Sequence, residues 1–242
     1  MYVPDDFYGA FRNLFLFFPF QENPRLTPPA WALTVEIFFY ILIGLGVSKT
    51  LRLTVLWFIL SILYHVFALL LDLGWSNRYF TIFAASLPFS AGALIFHFKN
   101  EIIKFTDGVS SWLYGWLPFI ILMFFILNWY IGYLIGSQQG FFFYTNFLLC
   151  LLMISTLLGT KKLPFISRDM DKWIGDFSYP VYLFHYQVGI LVVFFAGLVG
   201  FELHRPDSLL LVVSIPVILL FSWAVSVLFE QPIEKIRSRV KK

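Results

Sequence analysis

Pro28-Pro29-Ala30-Trp31-Ala32-Leu33-Thr34-Val35-Glu36-Ile37-Phe38-Phe39-Tyr40 runs from a proline-containing loop straight into an apolar helix. One carboxylate, Glu36, stands there among residues that otherwise suit lipid. An ionised acid at membrane depth costs at least about 2.5–3.5 kcal/mol on insertion scales. A residue that expensive is kept for function, or is held by a partner inside a helix bundle. The rest of the chain reads as the helices that surround Glu36, and His185 is the best partner they supply.

Composition makes lipid the solvent. Of 242 residues 60% are apolar and 13% charged, with 31 Phe, and the mean hydropathy is +0.81. A soluble domain is about 45–50% apolar and about 25% charged. The single Cys excludes a disulfide framework and a Cys-based metal site, and no metal site of another kind is expected. Nucleic-acid binding has no support, because the basic residues lie in short loops and a tail rather than in a stripe. Met1 to Gln21 is not a signal peptide: it begins with two acids and has neither a basic n-region nor a small-residue cleavage site. Phe11 to Phe20 is too short to span a bilayer, which takes about 20 residues. It is expected to be interfacial or re-entrant and to end at Pro19.

Seven apolar runs are long enough to cross, or nearly cross: 30–47, 51–71, 78–98, 112–135, 141–158, 173–199 and 208–229. The first and fifth are near the lower limit of about 17 residues, and the sixth is long enough to tilt. Backbone in lipid must satisfy its own hydrogen bonds, and no period-two alternation is present. The fold class is therefore all-α, a polytopic transmembrane helix bundle rather than a barrel. The expected organisation is one membrane domain over 1–242. It has an outer loop at 1–29 with a short interfacial helix, seven transmembrane helices over 30–229, and a basic tail at 230–242.

Orientation follows from the Lys and Arg of each loop. Lys49, Arg52, Lys99, Lys104, Lys161, Lys162, Arg168, Lys172 and the tail residues Lys235, Arg237, Arg239, Lys241 and Lys242 fall on one side. Arg12, Arg25, Arg78 and Arg205 fall on the other. The C-terminus is thus expected in the cytoplasm and residues 1–29 outside. An odd number of spans leaves Met1 across the membrane without an export signal. Such an arrangement is expected where further helices precede residue 1.

Glu36, His65, His97 and His185 are the ionisable residues well inside these runs. A rise of about 1.5 Å per residue through a core of about 30 Å puts Glu36 roughly 9 Å and His185 roughly 12 Å from the outer face. His65 comes out at nearly the same level, and His97 at the cytoplasmic end. A carboxylate beside an imidazole is a common arrangement for proton transfer. The bland alternatives are a structural hydrogen bond for Glu36 and a buried imidazole tied to a backbone carbonyl for His185. His65 reads as structural and His97 as an interface residue. Ser178, Tyr182 and His185 share one helix face by their spacing, and Pro180 should kink that helix near residue 176. Asp176 reads as a helix-start residue. The tail Phe229 to Arg239 resembles a short amphipathic helix started by Pro232, with a basic face suited to an anionic inner leaflet.

Three stretches together resemble the acyltransferase 3 family of integral membrane O-acyltransferases. Pro29-Ala30-Trp31-Ala32-Leu33-Thr34-Val35-Glu36 is similar to its Pro-x-Trp-Ser-Leu-Ser-Val-Glu signature, with Ala32 and Thr34 for the two serines. Gly175-Asp176-Phe177-Ser178-Tyr179-Pro180-Val181-Tyr182-Leu183-Phe184-His185 is similar to Gly-x-x-Ser-Tyr-x-x-Tyr-Leu-x-His, and Phe229-Glu230-Gln231-Pro232-Ile233 resembles the usual end. Family members have about ten spanning helices, the first carrying an Arg and the His taken as catalytic base, followed by an Arg-rich cytoplasmic loop. This sequence has neither. The resemblance therefore implies the C-terminal seven helices of such an enzyme, truncated and in need of a separate polypeptide for the missing ones.

The implied reaction moves an acyl group, often acetyl, from cytoplasmic acyl-CoA to a hydroxyl of a glycan, sugar or lipid-linked acceptor. The implied location is the bacterial inner (plasma) membrane, and no bound cofactor is implied beyond the acyl-CoA donor. By the same resemblance Glu36 and His185 are the catalytic residues. Trp31, Tyr40, Ser178 and Tyr182 line the substrate site. Two other classes stay open: a transporter or exporter, which also uses mid-membrane polar residues and broken helices, and a non-catalytic membrane protein.

Overall fold

The computed structural model describes residues 6–16, 25, 28–107, 111–160, 163–201, 208–230, 232–233 and 236–237. Among the described residues every regular element is helical. The order is α1 (Phe7–Leu14), α2 (Ala30–Gly44), α3 (Leu51–Leu70), α4 (Trp75–Tyr79), α5 (Ile82–His97), α6 (Lys99–Asp107), α7 (Ser111–Ile135), α8 (Phe141–Gly159), α9 (Arg168–Leu198) and α10 (Ser208–Val225). A π-helical turn, Ser226–Glu230, continues α10.

Six spans are long and apolar enough to cross a membrane: Leu51–Leu70, Trp75–His97, Tyr114–Ile135, Phe141–Gly159, Arg168–Leu198 and Val212–Phe229. They mark an integral membrane protein. The expected runs at 51–71, 112–135 and 141–158 become α3, α7 and α8 with ends moved by a single residue. The first run is the exception in length. With 15 residues, α2 reaches only about 22 Å, short of a core of about 30 Å.

Three features depart from the sequence expectation. Lys99–Asp107 is a helix of its own rather than a polar turn. Helix α9 begins at Arg168, five residues ahead of the expected 173, and runs unbroken through Pro180. The helix near the N-terminus occupies Phe7–Leu14 rather than Phe11 to Phe20. The expected end of that segment at Pro19, the turn at Gly108, Lys161 and Lys162, the loop 202–207 with Arg205, and the tail at 234–235 and 238–242 lie outside the described residues.

Local chemistry explains the boundaries. Asp6 caps α1 by accepting from the Gly9 N–H at 2.6 Å. Thr50 and Thr81 cap α3 and α5 through the N–H groups of Leu53 and Ala84, satisfying donors that a helix start leaves open. Helix α7 ends at Gly136, whose φ of +68° is costly for any residue with a Cβ. Gly159 ends α8 where Thr106 of α6 lies so close that a Cβ would collide with its side chain.

The chain forms two compact units: Val35–Ser167, and Met1–Thr34 with Arg168–Lys242. In the Val35–Ser167 unit α3 packs on α5, α7 on α8, and α6 and α5 on α8. The buried stripe of α3 is Thr54, Trp57, Ser61, His65 and Ala68. It meets Ala84, Leu87, Ser90 and Ala91 of α5. Small and polar side chains let membrane helices approach and hydrogen-bond where lipid offers no hydrophobic drive. In the other unit α9 packs on α10, and Phe184 meets Phe221 edge-on at 5.2 Å. The large apolar side chains elsewhere are mostly exposed, as lipid contact requires.

Candidate functional site

Helix α2 carries two of the candidate residues in the Val35–Ser167 unit. Its outward arc is Ile37, Phe38 and Ile41, all exposed, while Val35 and Phe39 are buried. At about 100° per residue, Glu36 falls on the side away from that exposed arc, and it is half-buried. Tyr40 follows one turn later; it is 61% exposed and presents its ring edge-on to Phe89 at 6.4 Å.

The remaining candidates belong to the unit formed by Met1–Thr34 and Arg168–Lys242. Trp31 is half-buried in the first turn of α2. The Thr34 hydroxyl donates to the Leu16 carbonyl at 2.5 Å, tying the chain after α1 to that turn. The Tyr182 hydroxyl donates to the Pro29 carbonyl at 3.2 Å. Two stretches 153 residues apart thus meet, and both belong to the quoted signatures. Arg25, in the loop that precedes α2, is half-buried, and burial lowers its pKa from the ordinary value.

His185 and Ser178 are exposed on α9. Ser178 spends its hydroxyl on the Gly175 carbonyl at 2.7 Å. His185 Nδ1 lies 2.7 Å from the Tyr182 carbonyl. A carbonyl only accepts, so Nδ1 carries the proton and Nε2 keeps its lone pair. That is the tautomer a general base needs. The structure therefore brings Tyr182, His185 and the Pro29 carbonyl together, and sets Glu36 and Tyr40 one turn apart on α2.

The other two histidines are tied into the Val35–Ser167 unit. His65 is 5% exposed; its Nε2 lies 3.0 Å from the Ala84 carbonyl and its Nδ1 3.0 Å from the Tyr144 hydroxyl. Nε2–H donates, Nδ1 accepts, and one imidazole joins α3, α5 and α8. His97 sets Nε2 3.0 Å from both the Ser48 carbonyl and the Thr54 hydroxyl.

Sequence reasoning missed the aromatic contacts around α2. Phe39 stacks on Phe89 at 4.5 Å and on Trp57 at 5.9 Å. With 31 Phe in the chain no single one stands out by type, and only the spacing of Phe39 three residues after Glu36 hinted at it. Comparison of the chain with protein-family models, with curated proteins and with solved structures finds no match.

Proposed function

We propose that this chain is the acceptor-side part of a membrane-bound O-acyltransferase of the acyltransferase 3 type, moving acetyl from acyl-CoA to a hydroxyl of a glycan, sugar or lipid-linked acceptor. The observation that carries the proposal is the state of His185. Its Nδ1–H is engaged with the Tyr182 carbonyl, which leaves an acceptor nitrogen on a polar face inside an apolar span.

In the proposed reaction the acceptor oxygen attacks the thioester carbonyl. A C–O bond forms, the C–S bond breaks, and CoA leaves as the thiol with the proton the hydroxyl gave up. His185 Nε2 receives a hydrogen bond from that hydroxyl, Glu36 orients it, and Trp31, Tyr40, Ser178 and Tyr182 wall the site. No helix of the sequence carries the family's Arg and His pair, so a separate polypeptide supplies it. Helix α2 counts as a seventh span, short enough to need local thinning of the bilayer. Helix α1, with Phe7, Phe11 and Phe15 exposed, lies in the outer interface of the plasma membrane, and the C-terminus is cytoplasmic.

The test is reconstitution in vesicles with labelled acetyl-CoA and a glycan acceptor, with and without a co-expressed partner bearing the His-containing helix. Label in the acceptor only with the partner supports the proposal. Label that persists after both Glu36→Gln and His185→Ala removes the site assignment. Transport competes as a function, because the exposed polar half of α9 also suits a substrate path. Substrate flux without ester formation would favour it.

A further inference from the structure

Helix α2 poses a problem that its own sequence does not solve. It is apolar on every side except at Glu36 and Thr34, and lipid tails are as apolar as its side chains, so no hydrophobic force selects which face turns inward. Yet the direction of Glu36 depends on that rotation. Something must fix it.

We infer that Phe39 is a positioning residue: held against Trp57 and Phe89, it sets the rotation of α2 about its axis and so the direction in which Glu36 and Tyr40 point. Phe39 is 2% exposed. Its ring lies nearly parallel to both neighbours, at 22° to Phe89 and 25° to Trp57. The wall behind it is itself bonded in place. The Trp57 indole N–H donates to Ser86 Oγ at 2.7 Å. Ser86 and Ser61 share a hydrogen bond of 2.7 Å, and the Ser61 hydroxyl returns to the Trp57 carbonyl at 2.9 Å. A second point fixes the end of α2: His97 Nε2 holds the Ser48 carbonyl of the following turn. A bulky ring in a rigid notch and a pinned end together define both axis and azimuth. Glu36, three residues before Phe39, is then carried to the side away from Ile37, Phe38 and Ile41.

Only the catalytic consequence rests on the proposed acyltransferase function; the rotation itself does not. The experiment therefore reads the two separately. In a Cys150→Ser background, Glu36→Cys and Ile37→Cys report neighbouring directions about 100° apart, each labelled with a water-soluble maleimide in vesicles. The thiol of the Glu36→Cys variant is expected to label several-fold faster than that of Ile37→Cys. Adding Phe39→Ala should bring the two rates together, Phe39→Leu should restore part of the difference, and Trp57→Phe should give a smaller loss. Equal labelling of the two positions in the parent overturns the inference. So does a ratio unchanged by both Phe39→Ala and Trp57→Phe in protein that elutes as a single species. With Glu36 intact, Phe39→Ala should lower kcat for acetyl transfer about 10- to 100-fold, the scale of a displaced catalytic group, with KM for acetyl-CoA unchanged. A labelling ratio that shifts while transfer stays constant upholds the positioning by Phe39 and rejects Glu36 as part of the site.

Discussion

The seam between α3 and α5 and the face of α9 are both polar and both lie in apolar spans, but they are finished differently. Along α3 the polar side chains are used up. Thr54 bonds His97, Ser61 bonds Ser86, Ser90 bonds Ser61, and His65 uses both ring nitrogens. Along α9 the polar side chains are exposed, and His185 satisfies one nitrogen through its own backbone. The α9–α10 pair also buries Gln187 Oε1, Ser214 Oγ and Ser222 Oγ, which have no hydrogen-bond partner among the described residues. A buried polar group costs stability only when left unmade, so the α3 seam is built to hold helices together. The α9 face is left with bonds still to make. Residue type does not separate these roles, since each region contains serines and a histidine; satisfaction of the second nitrogen does.

Exchanging one histidine from each region breaks or sharpens this contrast most directly. His185→Ala should reduce acetyl transfer about 100-fold or more, the scale of general acid–base catalysis, with unfolding in detergent unchanged. A variant that loses stability and keeps activity would reverse the assignment. His65→Leu should do the opposite and lower stability by about 2–3 kcal/mol, because it strands the Tyr144 hydroxyl and removes a link to Ala84. Steric-trap or urea–detergent unfolding would measure it, and residual folded protein should keep its transfer rate.

Single hydroxyls give smaller effects on the same axis. Ser61→Ala should cost about 1 kcal/mol, near the upper range of interhelical bonds in membranes, as read by the same unfolding assay. Ser222→Ala removes a hydroxyl that is 0% exposed and makes no bond among the described residues, so it should be neutral within about 0.5 kcal/mol or slightly stabilising. A loss as large as that of Ser61→Ala would show that Ser222 has a partner and would erase the difference between the two seams.

How much of this could be read in advance depends on the scale of the feature. Spans were legible because about twenty apolar residues in a row leave few alternatives, and α3, α7 and α8 fall within a residue of expectation. Lys99–Asp107 was not, because Lys99, Asn100, Glu101 and Lys104 dilute a nine-residue helix until it resembles a turn. What holds it is Thr106 against Gly159, a contact between residues far apart in the chain that periodicity cannot encode. Glu36 was legible as costly, and its half-buried state on the side away from lipid fits that expense. The structural role of His65 was also foreseeable, since its helix offered little polar company beyond Ser61. Its partners Tyr144 and Ala84 were not, as they come from other helices. Nor was Phe39 visible as a wedge, because aromatic residues are too common here to be informative singly.

Ser226–Glu230 is wound as a wider coil than the helix it prolongs, which amounts to one surplus residue in the last turn. Everything beyond it inherits that surplus as an angular offset. Deleting any one residue between 226 and 230 would swing Pro232 and Ile233 by about 100° around the helix axis, so the length of this short piece, as much as its composition, decides which way the C-terminal segment departs.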